Sequence, residues 1–116
     1  MNVNREDYII IGTNLIEYNN RLNELEENTD IEAWEEREKK EKEANDVGLE
    51  FVFDVFNEEY LIVGQLIAKS NEYEEIDLIE VDTDNINNIC REVADKIKRI
   101  FDMDVKPSLL VFTHSC

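Results

Sequence analysis

Apolar residues are densest between Leu49 and Lys69, where Leu49, Phe51, Phe53 and Val55 alternate with Glu50, Val52, Asp54 and Phe56. This is the period-two signature of a strand with one buried face. A second run, Tyr60 to Ala68, follows after Asn57, Glu58 and Glu59, so the stretch predicts a β-hairpin. A two-residue loop at Asn57-Glu58 sets Val55 against Tyr60, Phe53 against Ile62, Phe51 against Gly64 and Leu49 against Leu66, which keeps one face apolar; a three-residue loop sets Phe51 against Gln65. The even loop is expected. A four-residue loop of the same parity is its alternative, because Glu58 is poor type I′ chemistry.

From about Arg5 to Glu27, Tyr8, Ile11, Leu15, Tyr18, Leu22 and Leu25 recur at alternating steps of three and four, with Ile9 and Ile16 widening the stripe. That spacing predicts an amphipathic helix, which Gly12 weakens by roughly 1 kcal/mol relative to Ala. The register is lost after Leu25. Thr29 and Glu32 have capping-box spacing, so a break is placed at Asn28-Thr29-Asp30 and a second helix begins there. Beyond Trp34 this helix has no apolar face, and Glu35 with Lys39, Glu36 with Lys40 and Glu38 with Lys42 supply favourable i,i+4 pairs on a solvated surface. Trp34 is expected to anchor it in the core.

Gly48 ends the helical region. After the hairpin, a third strand is expected near Glu75 to Val81. Asp82, Thr83 and Asp84 then offer cap oxygens to a helix from about Asn85 to Phe101, in which Ile86, Ile89, Cys90, Val93, Ala94, Ile97, Ile100 and Phe101 keep a 3.6-residue period. Lys96, Lys98 and Arg99 suit its C-terminal dipole. Leu109 to Phe112 reads as a final strand, apolar on both faces and therefore well covered. The fold class is α+β: an N-terminal helix pair, a three-stranded antiparallel meander, an amphipathic helix and a last strand (ααβββαβ), with the helices on one face of a four-stranded sheet. A right-handed crossover brings the last strand parallel to the first, for a sheet order of 3-2-1-4.

Length changes this picture little: 116 residues make a single domain over 1–116, helical over 1–46 and sheet plus helix over 47–116. Three Gly and one Pro leave no linker. No apolar run is long enough for a membrane span, the N-terminus lacks the pattern of a secretory signal, and Cys90 and Cys116 need no disulfide; a cytoplasmic protein is expected.

The α-βββ-α-β order resembles the core of PD-(D/E)XK nucleases, which carry an acid on the second strand and an acid-x-Lys on the third to bind Mg²⁺ and orient water. Here the third strand reads Glu80-Val81-Asp82 without the lysine, and Ile67 stands where an acid should precede Ala68-Lys69. Asp82-Thr83-Asp84 opens like a calcium loop, but Ile86, Asn87 and Val93 occupy positions that need an oxygen ligand, Gly and Glu. His114 and Cys116 are two ligands, too few for zinc. No cofactor or metal is expected, and catalytic residues are not assigned.

Charge is what remains. The chain carries 29 acidic and 12 basic residues, a net charge of −17. Thirteen acids against Lys69 alone fall between Glu43 and Asp84, a local balance of −12. The candidate partner-binding residues are Glu58 and Glu59 at the hairpin turn, then Glu72, Glu74, Glu75, Asp77, Glu80, Asp82 and Asp84. Their field would attract a cationic cleft and oppose direct contact with nucleic acid or an acidic membrane. The expected function is therefore a non-enzymatic inhibitor that blocks a basic, nucleic-acid-handling protein by presenting carboxylates in place of phosphates, as DNA-mimic anti-restriction and anti-CRISPR proteins of phages do. The alternatives are an immunity protein against a cationic toxin, a module that dimerises through the N-terminal helices, and a PD-(D/E)XK-like nuclease. An acidic surface that only confers solubility explains the same composition.

Overall fold

Tyr8-Ile9-Ile10-Ile11 is four apolar residues in a row, three of them β-branched, and such a run satisfies a strand buried on both faces better than a helix with one apolar stripe. A computed structural model, which describes residues 5–24 and 30–115, places it in the strand β1, Arg5–Asn14. The remaining elements are α1 (Ile16–Glu24), α2 (Asp30–Asp46), β2 (Glu50–Phe53), β3 (Leu61–Asn71), α3 (Thr83–Phe101) and β4 (Ser108–Ser115). The class is α+β, with three helices and a four-stranded sheet whose face the helices cover, as the pattern predicts. The order is corrected to βααββαβ: the first expected helix is a strand followed by a shorter helix, and the expected strand at Glu75 to Val81 has no regular structure. The break expected at Asn28-Thr29 lies outside the described residues.

The sheet is antiparallel throughout, in the order β2-β3-β1-β4. β1 takes the place beside β3 that the third strand was expected to fill, and with β4 on its other side that place is central instead of the expected edge. The expected strand, Glu75 to Val81, would carry Glu75, Asp77 and Glu80 into the ladder there, whereas β1 brings isoleucines. β3 and β4 flank β1 and run parallel to each other, joined by α3. The last strand therefore neighbours β1 and not the hairpin's first strand.

Alternate residues of the strands build two cores. On the helix side, Leu61 and Val63 of β3 pack with Leu15, Ala44, Leu49, Val93, Ile97 and Phe101. On the other side Tyr8, Ile10, Val52 and Ile62 form a second cluster with Tyr60, Leu66, Leu110 and Phe112. Ile10 is fully buried there, although none of the cluster's residues comes from a helix. The cover comes from the sheet itself. Tyr60 precedes β3 at the Asn14 end, while His114 on β4 pairs with Glu6 near the opposite end of β1. On a flat sheet these corners would lie more than about 25 Å apart, yet the Tyr60 hydroxyl is 2.7 Å from His114 Nδ1. The sheet coils until its diagonal corners meet. Gly12 and Gly64 face each other across β1 and β3 at the bend, where a Cβ on either would sit 2.3 Å from a carbonyl oxygen of the other strand. The register also slips between Ile9 and Ile10, leaving Ile67 unpaired as a bulge that adds twist.

The hairpin register is corrected as well. Phe53 faces Leu61, Val52 faces Ile62 and Phe51 faces Val63, one residue away from the expected pairing. Since both faces are buried, one-sided apolarity does not set the parity; the turn does. The buried Asp54 carboxylate accepts the amides of Asn57 (3.2 Å) and Glu59 (3.1 Å), and Glu58 adopts a left-handed φ of 52°. Val55 and Phe56 are thereby left exposed in the turn.

Helix α2 has a packing face that the sequence hides. Ala33 and Ala44 are buried, and between them Arg37 and Lys40 continue the same stripe. The Arg37 guanidinium lies 4.8 Å from the Phe53 ring centroid, and Lys40 Nζ donates to the Ile100 carbonyl at 2.6 Å beside the Phe101 ring. Long cationic side chains thus serve as core-facing groups through their stems and cation–π contacts. This helix carries the ion pairs Lys40–Glu43 and Lys42–Asp46, which differ from the three expected ones. Trp34, expected in the core, is 54% exposed.

Candidate partner-binding surface

The acidic residues singled out by the sequence fall into two groups. Glu58 and Glu59 lie in the β2–β3 turn, beside Leu61 at the start of β3. Glu72 to Asp84 begins where β3 ends, so the two groups lie at opposite ends of that strand. Glu72, Glu74, Glu75, Asp77, Glu80, Asp82 and Asp84 are brought together on one connection between β3 and α3, all exposed. None of them is ion-paired with a described residue. The five ion pairs among the described residues use Glu6, Glu43, Asp46, Asp102 and Asp104 instead.

Both ends of this connection are tied. At the first, Asn71 Oδ1 accepts the Tyr73 amide at 2.8 Å and its carbonyl accepts the Glu74 amide at 3.2 Å. At the other, Asp82 caps α3 by accepting the Asn85 amide at 2.8 Å, which gives this carboxylate a structural role besides its charge. Between the ends Tyr73 (88% exposed) and Leu78 (89% exposed) stand in solvent, with Ile76 and Ile79 partly so. The connection is a carboxylate-rich segment interleaved with unburied apolar side chains. Charge counting finds the carboxylates, but the exposure of Tyr73 and Leu78 depends on this segment being off the sheet.

A cleft of about 390 Å³ lies between α2 and the β2 edge, with Trp34, Tyr8 and His114 among its aromatic lining and Glu38, Glu41, Glu50 and Glu58 among its acids. Burial, then the nearby Glu38 charge, raises the Glu41 pKa. Glu58 is the one expected site residue that reaches this cleft.

His114, which the sequence leaves without a partner, sits in the second core. It contacts Tyr8 and Tyr60 edge-on, and burial lowers its pKa against the opposing pull of Glu6 and Asp54, so the neutral ring suits Nδ1 to accept from the Tyr60 hydroxyl. The Tyr8 hydroxyl donates to Glu6 at 2.8 Å, and burial followed by that bond pushes its pKa to about 12. Lys69 completes the group, 2.9 Å from Glu6 and over the Tyr8 ring. The partners come from β1, β3, the residue before β3 and β4, separated by more than a hundred residues at the extremes, which no local pattern reveals.

Among the described residues no group of three or more His, Cys, Asp or Glu side chains could hold a metal ion, and no helix is long and apolar enough to cross a membrane. The strand order on which the nuclease resemblance rests is replaced by the order above: Asp54 closes a turn, and Glu80 and Asp82 stand off the sheet. The Tyr8 to Leu25 stripe, read as a dimerisation face, is divided between a central strand and a short helix, with Tyr8, Ile11, Leu15 and Leu22 all buried within the chain and Leu25 outside the described residues. Comparison with known proteins finds no family model, no characterised protein and no solved structure that matches this chain.

Proposed function

We propose that the chain is a non-enzymatic inhibitor that lays the acidic connection between β3 and α3 on the basic, nucleic-acid-binding face of a partner protein and blocks it. The observation that carries this reading is the set of seven exposed carboxylates on residues 72–84, unpaired with any described cation, on a segment tied at both ends. Carboxylates without internal partners keep their field for an incoming cation, which raises the encounter rate and selects a basic surface. Tyr73 and Leu78 supply the apolar contact that converts encounter into residence, since aromatic anchors surrounded by polar groups dominate interface energetics. A partner that also engages Glu58 and Glu59 must reach both ends of β3.

Immobilised chain, exposed to an extract of its source cell at low salt, is expected to retain a basic protein that elutes on a salt gradient and is displaced by duplex DNA. The triple variant Glu74→Lys, Glu75→Lys, Asp77→Lys is expected to hold that protein at least about a hundredfold more weakly. Equal retention by both forms, or retention insensitive to salt, sinks the reading. A cationic toxin offers the same electrostatic target, and failure of duplex DNA to displace the captured protein would point to that alternative.

A further inference from the structure

The structure assigns a self-association surface to the outer edge of β4, where we propose that a second copy of the chain pairs antiparallel, strand against strand, across a two-fold axis. The strand sequence was expected to be covered, because Leu109 to Phe112 is apolar on both faces. Instead β4 is at the sheet edge, paired only with β1, with Leu109 50% and Val111 73% exposed. An eight-residue strand with one free row of amides and carbonyls is a template for a further strand, and soluble proteins ordinarily guard such edges.

The other edge is guarded. β2 is four residues long, carries Glu50, and has α2 packed against it with Arg37 over Phe53. β4 lacks those devices: no Asp, Glu, Lys or Arg occurs from Pro107 to Ser115, and His114 is buried in the second core. This absence of charge identifies the occupant. In a chain of net charge −17, copies repel wherever their acidic surfaces approach, and only an uncharged strip lets two of them meet closely. A basic segment from another protein would find no counter-charge on β4. The strand is also self-complementary. A two-fold axis perpendicular to the sheet keeps the helices of both copies on one side and requires opposed residues to share a face, which Leu109 against Val111 of the second copy satisfies. Each exposed apolar side chain then covers the other, and the sheet becomes a continuous eight-stranded one.

Sedimentation equilibrium of the full chain over a wide concentration range, at low and high salt, tests this. The mass is expected to rise from 13.7 kDa towards twice that value, more readily at high salt because screening weakens the repulsion. Val111→Lys and Leu109→Lys, both at exposed positions, are each expected to remain at monomer mass while keeping the parent's thermal unfolding. Amide exchange in β4 of the parent is expected to slow as concentration rises. A parent that stays at 13.7 kDa at every concentration, or lysine variants that associate as the parent does, would overturn the proposal.

Discussion

At the scale of single residues, Gly12 and His114 show how much depends on the coil of the sheet. Gly12 looks like a weak point in a helix when read locally; on β1 it marks the place where β1 and β3 approach too closely for a side chain, with Val63 O 2.3 Å from where a Cβ would be. Its obstacle is backbone, which cannot rotate away. Gly12→Ala is expected to cost about 3 kcal/mol in chemical denaturation, and an unchanged midpoint would mean the bend is not tight. His114 provides a pH test. Its folded pKa lies below the ordinary 6.5 because burial disfavours the cation. The unfolded chain therefore binds the proton first on acidification: the contribution of His114 is full above pH 6.5 and is lost as pH falls through the folded value. Protonating carboxylates in a chain of charge −17 relieves repulsion and acts in the opposite direction, so the reading must be differential. The stability difference between the parent and His114→Gln is expected to shrink as pH is lowered from about 7.5 to about 5.5; a difference that grows or stays level contradicts the buried neutral ring.

At the scale of elements, legibility followed how local the deciding interaction was. Helix α3 was read correctly because its 3.6-residue period, its Asp82 cap and its C-terminal cations all lie within the segment. β1 was not, because a strand buried on both faces has no alternation, and its apolar residues happen to match helical steps. The face of α2 was hidden because Arg37 and Lys40 count as polar in any pattern while their stems and charges are used against Phe53 and Phe101. In the hairpin, Asp54 decides the register by accepting two amides, and a turn made by one side chain is invisible to strand periodicity. Asp54→Ala is expected to destabilise the fold by about 1–2 kcal/mol in a thermal melt. A variant as stable as the parent would show that strand pairing alone sets the turn.

At the scale of the whole molecule, charge is the property that most needs a use. The acidic band was legible as composition, but its geometry was not: the structure parts Glu58 and Glu59 from the other seven and takes Glu75, Asp77 and Glu80 from an expected strand to an exposed connection. An edge strand could have carried its charges simply to prevent sheet-to-sheet pairing, a use that an irregular connection does not need. β4, the strand that is at an edge, carries none. Charge and free edge therefore lie on different elements, and the two proposed contacts, a basic partner at residues 72–84 and a second copy at β4, make separable demands. The most direct measurement is competition: a labelled DNA duplex bound to the captured basic partner, titrated with the parent chain and with the Glu74→Lys, Glu75→Lys, Asp77→Lys variant. The parent is expected to release the duplex at low salt and progressively less as salt rises, while the variant leaves it bound. Release by both forms alike, or a duplex that stays bound in the presence of excess parent, would contradict carboxylate mimicry at this connection.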